Sequence, residues 1–232
     1  MLVPITRQKF EQLIPVIATG PQYAYFWGKF SNLLKRILIS VIAVVVVLIL
    51  KAFFGSSFDG IGLLLGIIGS LYWLWGPIYW STLRNLEMRR YKYSGFWRGR
   101  VLDVYVTEEL IGTEESVNKR GELVIAENRE RRLNIEVGDE TGFTSQLQAP
   151  LRRLHKGINR GQVAEMLLLS YQPDLESIVK HTDIYIPSLD LWVSDYPYLQ
   201  REVFVQVSQQ LGKSGGGERT TRRSNKTKRR RR

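Results

Sequence analysis

Ile37 to Leu50 reads ILISVIAVVVVLIL, a run without a single charge, and its reading decides the architecture. Past Lys51 it continues through Ala52, Phe53 and Phe54, so that 37–54 gives 18 residues between Lys35-Arg36 and Gly55. At about 1.5 Å per residue this is roughly 27 Å of helix, close to the ~30 Å hydrocarbon core of a bilayer. Lys51 stands near the end of the run, where its stem reaches the headgroup level. A second run, 61–80, has no ionisable group other than tyrosines and ends in Tyr72, Trp73, Trp75, Tyr79 and Trp80, the composition of an interfacial aromatic belt. The two runs predict a transmembrane α-helical hairpin within 35–82.

The flanks orient it. Lys29, Lys35 and Arg36 precede the hairpin and Arg84, Arg89, Arg90, Lys92, Arg98 and Arg100 follow it, whereas the connection GSSFDG carries only Asp59. Basic residues stay on the cytoplasmic side, which predicts an integral protein of a plasma or thylakoid membrane with both termini in the cytoplasm or stroma. Gly62, Gly66 and Ser70 recur every four residues, with Gly69 beside them, and form a small-residue face where another helix approaches closely. That neighbour is the first helix of the hairpin or, less favoured, a membrane-protein partner or a second copy of the chain.

Residues 1–34 lack the continuous apolar core and small-residue cleavage site of a signal peptide. Phe10, Leu13, Ile14 and Ile17 fall at helical spacing opposite Arg7, Lys9 and Glu11, and the aromatics Tyr23, Tyr25, Phe26, Trp27 and Phe30 follow. This predicts an interfacial segment, an amphipathic helix on the membrane surface, with packing on the soluble domain as its near equal.

After a basic linker, 83–95, the pattern shortens its period. FWRGRVLDVYV (96–106), ELVIA (122–126), RLNIEV (132–137) and FTSQL (143–147) alternate with turn sequences, and QVAEMLLLS (162–170) reads as a final strand or a short helix. Five or six short strands predict a small all-β domain over 96–211, an OB-like or SH3-like barrel on the cytoplasmic side, because closure removes exposed edges. A C-terminal helix near 199–211, with Val203, Phe204 and Val207 inward, completes it. Trp192, Tyr196 and Tyr198 read as packing anchors.

The formal charge of +11 belongs almost wholly to one end: 213–232 holds ten Lys or Arg against Glu218, a net of +9. The tail 212–232 is too polar to bury a core, and the reading is a disordered polybasic segment. Arg222, Arg223, Lys226, Lys228, Arg229, Arg230, Arg231 and Arg232 are its candidate contacts to anionic lipid headgroups, with RNA as the less favoured nucleic-acid alternative and simple solubility as the plain one.

Chemistry is sparse. The absence of cysteine excludes thiolate metal sites and cysteine nucleophiles. His155 and His181 stand in no metal-ligand or triad spacing, and Gly212-Lys213-Ser214 lacks the glycine a phosphate-binding loop needs five residues earlier, where Val207 stands. No catalytic residue, metal or cofactor is expected, and the chain reads as a non-enzyme.

The opening MLVPITRQKFEQLIPVIATGPQYAYFWGKF (1–30), continuing into the hairpin, resembles an uncharacterised cyanobacterial membrane-protein family with plastid relatives, the similarity running to about residue 211. Some members of that family carry the name of a phosphate transport permease. A permease of that class has more spanning helices and a helix that couples to an ATPase, and neither is found here. The resemblance implies a thylakoid setting. Anchor, small domain and sparse chemistry together point to a membrane-anchored scaffold or assembly factor, with a transporter-associated subunit and a membrane-tethered RNA or ribosome binder as alternatives.

Overall fold

A computed structural model of the chain describes residues 1–28, 30–117 and 123–212. They divide into two compact units, one of Met1–Leu13, Tyr91–Asp195 and the chain from Leu199, the other of Ile14–Arg90 with Tyr196–Tyr198.

The first unit is a sheet of eight strands: β1 (Leu2–Ile5), β2 (Tyr93–Val117), β3 (Leu123–Gly138), β4 (Thr144–Pro150), β5 (Val163–Ser170), β6 (Ile178–His181), β7 (Ile184–Ile186) and β8 (Leu191–Val193). The order is β4-β3-β2-β5-β7-β8, with β1 added to β2 and β6 to β5, and every pairing is antiparallel. The sheet is open: β4 and β8 end the order without pairing to each other, so the expected barrel is not formed. Two of its strands are also longer and less interrupted than expected. FWRGRVLDVYV lies within a 25-residue β2, and 132–137 and the described part of the 122–126 stretch, 123–126, belong to one strand, β3. The expected turn at 118–121 lies outside the described residues.

Cover replaces closure. On one face Trp97, Val101, Leu133, Ile135, Val137 and Met166 gather in a buried core. On the other, residues 201–212 form a helix whose Phe204 is fully buried, 5.4 Å from the Phe96 ring and 5.3 Å from that of Trp192. β5 is therefore buried on both sides, which is why QVAEMLLLS shows no alternation: Ala164, Met166 and Leu168 join the core of one face, while Glu165, Leu167 and Leu169 are buried as well. The ambiguity of that segment resolves to strand.

The chain's first residues depart from the interfacial reading. β1 pairs Leu2–Ile5 with Trp97–Ser94 of β2, and α1 (Arg7–Leu13) buries Phe10 and Leu13 within the sheet unit. Two buried apolar side chains one turn apart are better satisfied by protein here than by a membrane surface, and the Leu13 carbonyl accepts the Gln200 N–H at 2.8 Å.

The second unit is helical: α2 (Gly20–Tyr25), α3 (Phe30–Phe54), α4 (Asp59–Ser70) and α5 (Tyr72–Arg89). α3 and α4 are joined by a 3-10 turn, Gly55–Phe58, in which Gly55 takes φ +61°, a value that glycine adopts without a Cβ clash. Among the described residues α3 alone is long and apolar enough to cross a membrane; α4 and α5 pass only as a pair bent by 73°. The expected single helix over 61–80 is thus broken at Leu71. Gly69-Ser70 just before the break is a weak helical pair, and the Trp73 N–H at the start of α5 donates to the Ser40 hydroxyl of α3 at 3.1 Å. Gln22 and Asn85, both fully buried, exchange amide hydrogen bonds of 2.8 and 2.9 Å and tie α2 to α5.

Candidate functional site

The helical unit presents the most unusual surface. Only 6 % of the apolar window of α3 is buried, and Leu38, Ile42 and Phe53 are 58 %, 52 % and 82 % exposed. A soluble protein rarely leaves so continuous an apolar surface uncovered. Lys51 and Asp59, the charges at the far turn, form an exposed pair at 2.9 Å. Trp75, Tyr79 and Trp80 stack edge to face along α5, and Arg84 lies 4.6 Å from the Tyr196 ring.

Among the small residues singled out from sequence, two meet α3. A Cβ on Gly69 would stand 2.9 Å from the Ala43 Cβ, and one on Gly66 would stand 3.8 Å from Val47. Gly62 instead faces Phe58 of the preceding turn, and the Ser70 hydroxyl donates to the Ile67 carbonyl at 3.0 Å. Beside them runs an open apolar groove of 480 Å³ along α3, walled by Leu33, Ile37, Val41 and Val44 and flanked by Trp27 and Trp73.

The sheet unit holds a second concavity, a basin of 840 Å³ bounded by β2, the end of β3 and the helix 201–212. Glycine shapes its floor: a Cβ on Gly99 would collide with the Trp97 ring and the Gly138 carbonyl, and one on Gly138 would lie 2.6 Å from Leu102. Trp97 donates its indole N–H to Asp139 at 2.8 Å, and the Thr141 N–H and hydroxyl donate to the other carboxylate oxygen. Partial burial pushes the Asp139 carboxyl up, but these donors outweigh it and hold it below its ordinary value. A carboxylate that accepts three such bonds is a structural acceptor. Arg98 is equally committed, to Glu165 and to the Ser208 carbonyl at 3.3 Å.

Burial, with Lys180 adding to it, lowers the His181 pKa, and burial with Arg152 lowers that of His155. His181 Nδ1 lies 3.1 Å from the Ser145 hydroxyl, a contact across 36 residues that no spacing in the sequence announces. Among the described residues no carboxylate bonds to the ring to orient it, and no group of three His, Asp or Glu gathers where a metal would sit. The basic residues Arg222, Arg223, Lys226, Lys228 and Arg229 to Arg232 lie outside the described residues.

Residues 3–220 match a family described as a family of unknown function, DUF8619, and the chain belongs to that family. No curated protein and no solved structure matches it.

Proposed function

We propose that this member of the DUF8619 family is an integral membrane protein, a non-enzymatic scaffold or assembly module that holds its sheet unit against the cytoplasmic or stromal face for a partner. The observation that carries the reading is the exposed apolar surface of α3, 25 residues or about 37 Å long, enough to cross a ~30 Å hydrocarbon core with some tilt. α4, about 18 Å long, is too short to return alone, and in this reading the aromatic start of α5 completes the path at the headgroup level. Lys35, Arg36, Arg84, Arg89 and Arg90 flank the apolar helices on the inner side. The basic tail adds attraction to anionic headgroups of about 1 kcal/mol per residue near the surface.

Recognition rather than turnover is favoured by the sheet unit, where Arg98 pairs with Glu165 and Asp139, in the basin, is held by Trp97 and Thr141. The thylakoid is the membrane that the family resemblance suggests.

The chain has no cysteine, so single cysteines report topology without background. Ser56→Cys in the turn after α3 and Thr141→Cys in the sheet unit are labelled with an impermeant maleimide in sealed vesicles of both orientations. Opposite accessibility of the two sites, in a chain that resists alkaline extraction, is the expected result. Labelling of both sites from one side, or release of the chain by alkali, overturns the reading.

A further inference from the structure

Near the N-terminal end of α3 a buried cation, Arg36, has no carboxylate partner among the described residues. Arg36 is only 7 % exposed; its Nε donates to the Asn32 carbonyl at 3.1 Å and its Nη2 to the Phe26 carbonyl at 2.9 Å, and its guanidinium stacks 5.1 Å from the Trp27 ring. Among the described residues its third nitrogen, Nη1, has no acceptor, and the indole Nε1 of Trp27 has none either. Among the described residues no carboxylate pairs with Arg36. A buried guanidinium that gives only two of its five N–H groups to acceptors, both of them carbonyls, leaves donors idle beside the Trp27 indole N–H.

Trp27 also lines the open apolar groove, and Leu33, Ile37, Val41 and Val44 continue it along α3. Leu33 to Val45 covers about 18 Å of helix, slightly more than one leaflet, or half of a ~30 Å core. The two hydroxyls that touch the groove are already used, Ser40 by the Trp73 N–H and Ser70 by the Ile67 carbonyl. Trp27, which lines one end, is thus shared between the groove and the Arg36 guanidinium stacked on it, and the rest of the lining offers only apolar contact.

We infer that this is a binding site for an anionic glycerophospholipid, one acyl chain lying along Leu33, Ile37, Val41 and Val44 and a phosphodiester oxygen accepting from Arg36 Nη1 and Trp27 Nε1. The inference rests on the membrane reading above. A zwitterionic lipid fills the groove but carries its own cation to the guanidinium, and inorganic phosphate answers the charge but leaves 480 Å³ of apolar space empty. Both donor atoms are screened from water, so the headgroup reaches them as the side chains over them give way, and it exchanges an unpaired buried charge for a charge-assisted bond.

The full chain is reconstituted in vesicles of equal phosphatidylglycerol and phosphatidylcholine and floated on a density gradient. It is then extracted in mild detergent and washed in about 1 M salt, where a screening length of about 3 Å strips lipid held only by the exposed tail. Retained lipid is quantified by mass spectrometry. The expected result is phosphatidylglycerol enriched about tenfold over phosphatidylcholine, the size of one charge-assisted hydrogen bond. Arg36→Gln is expected to lose the preference while still retaining lipid, and Val44→Trp, which fills the groove and leaves Arg36 in place, to lose the lipid. Retention at the feed ratio by the unaltered chain overturns the site, as does a preference that survives Arg36→Gln, lipid that survives Val44→Trp, or full displacement of the lipid by inorganic phosphate. A chain that fails to float overturns the membrane reading and the site with it, whereas one that floats without preference overturns the site alone.

Discussion

Arg98 and Glu165 are direct cross-strand partners on β2 and β5, joined at 2.7 Å from Nε, and they are buried unequally: the Glu165 side chain is fully enclosed whereas that of Arg98 remains 28 % exposed. Their removal is accordingly not symmetric. Arg98→Met strands a wholly buried carboxylate and is expected to cost about 3–5 kcal/mol, while Glu165→Gln leaves a guanidinium that still reaches water and costs less than half as much. Urea unfolding followed by tryptophan fluorescence measures both. Equal losses would show that burial of Glu165 does not set the cost.

Gly99 has no room for a side chain, since a Cβ there meets the Trp97 ring and the Gly138 backbone. Gly99→Ala is expected to destabilise the sheet unit by about 1–3 kcal/mol through overpacking. Gly112, on the same strand, has nothing within 4 Å of the place a methyl would take, and Gly112→Ala is the matched control, expected to leave the urea midpoint in place.

The two glycines facing α3 differ in the same way. Gly69→Ala brings a methyl to 2.9 Å from that of Ala43 and forces α3 and α4 apart, whereas Gly66→Ala meets Val47 at ordinary contact distance. The helical circular-dichroism melt in detergent is expected to fall for Gly69→Ala and to hold or rise for Gly66→Ala, where alanine also favours the helix by about 1 kcal/mol over glycine.

Both histidines carry folded pKa values below the ordinary 6.5, chiefly through burial. The unfolded chain then binds protons that the folded chain refuses, so the stability they contribute is complete above pH 6.5 and is lost as pH falls from there toward the depressed folded values. Asp139, also lowered, acts in a separate and more acidic window, from its ordinary 3.8 downward. A urea midpoint that declines between about pH 6.5 and 5 and flattens in His181→Gln is the expected outcome. A midpoint flat over that range in the unaltered chain would contradict it.

How far the sequence could be read depended on the range of the interaction concerned. The charge-free run Ile37–Leu50, its basic flanks, the aromatic cluster from Tyr72 to Trp80 and the helix carrying Phe204 are all local patterns, visible as composition or period along the chain. The segment QVAEMLLLS stayed ambiguous because its periodicity is erased by burial on both faces, and burial on the second face comes from a helix some forty residues away. Likewise nothing near Leu2–Ile5 announces β2 as its partner, and the Gln22–Asn85 and Ser145–His181 contacts join residues 63 and 36 positions apart.

Sequence alone was enough to identify the apolar helix and a β-rich domain after it, because hydrophobic run length and two-residue alternation are written residue by residue. Tertiary structure alone decided that the sheet stays open under a helical cover, that the second apolar run bends at Leu71, and that Arg36 ends beside Trp27 with a nitrogen to spare. Those outcomes follow from which distant surfaces meet and which polar atoms are left over when they do, and neither quantity exists until the chain has folded.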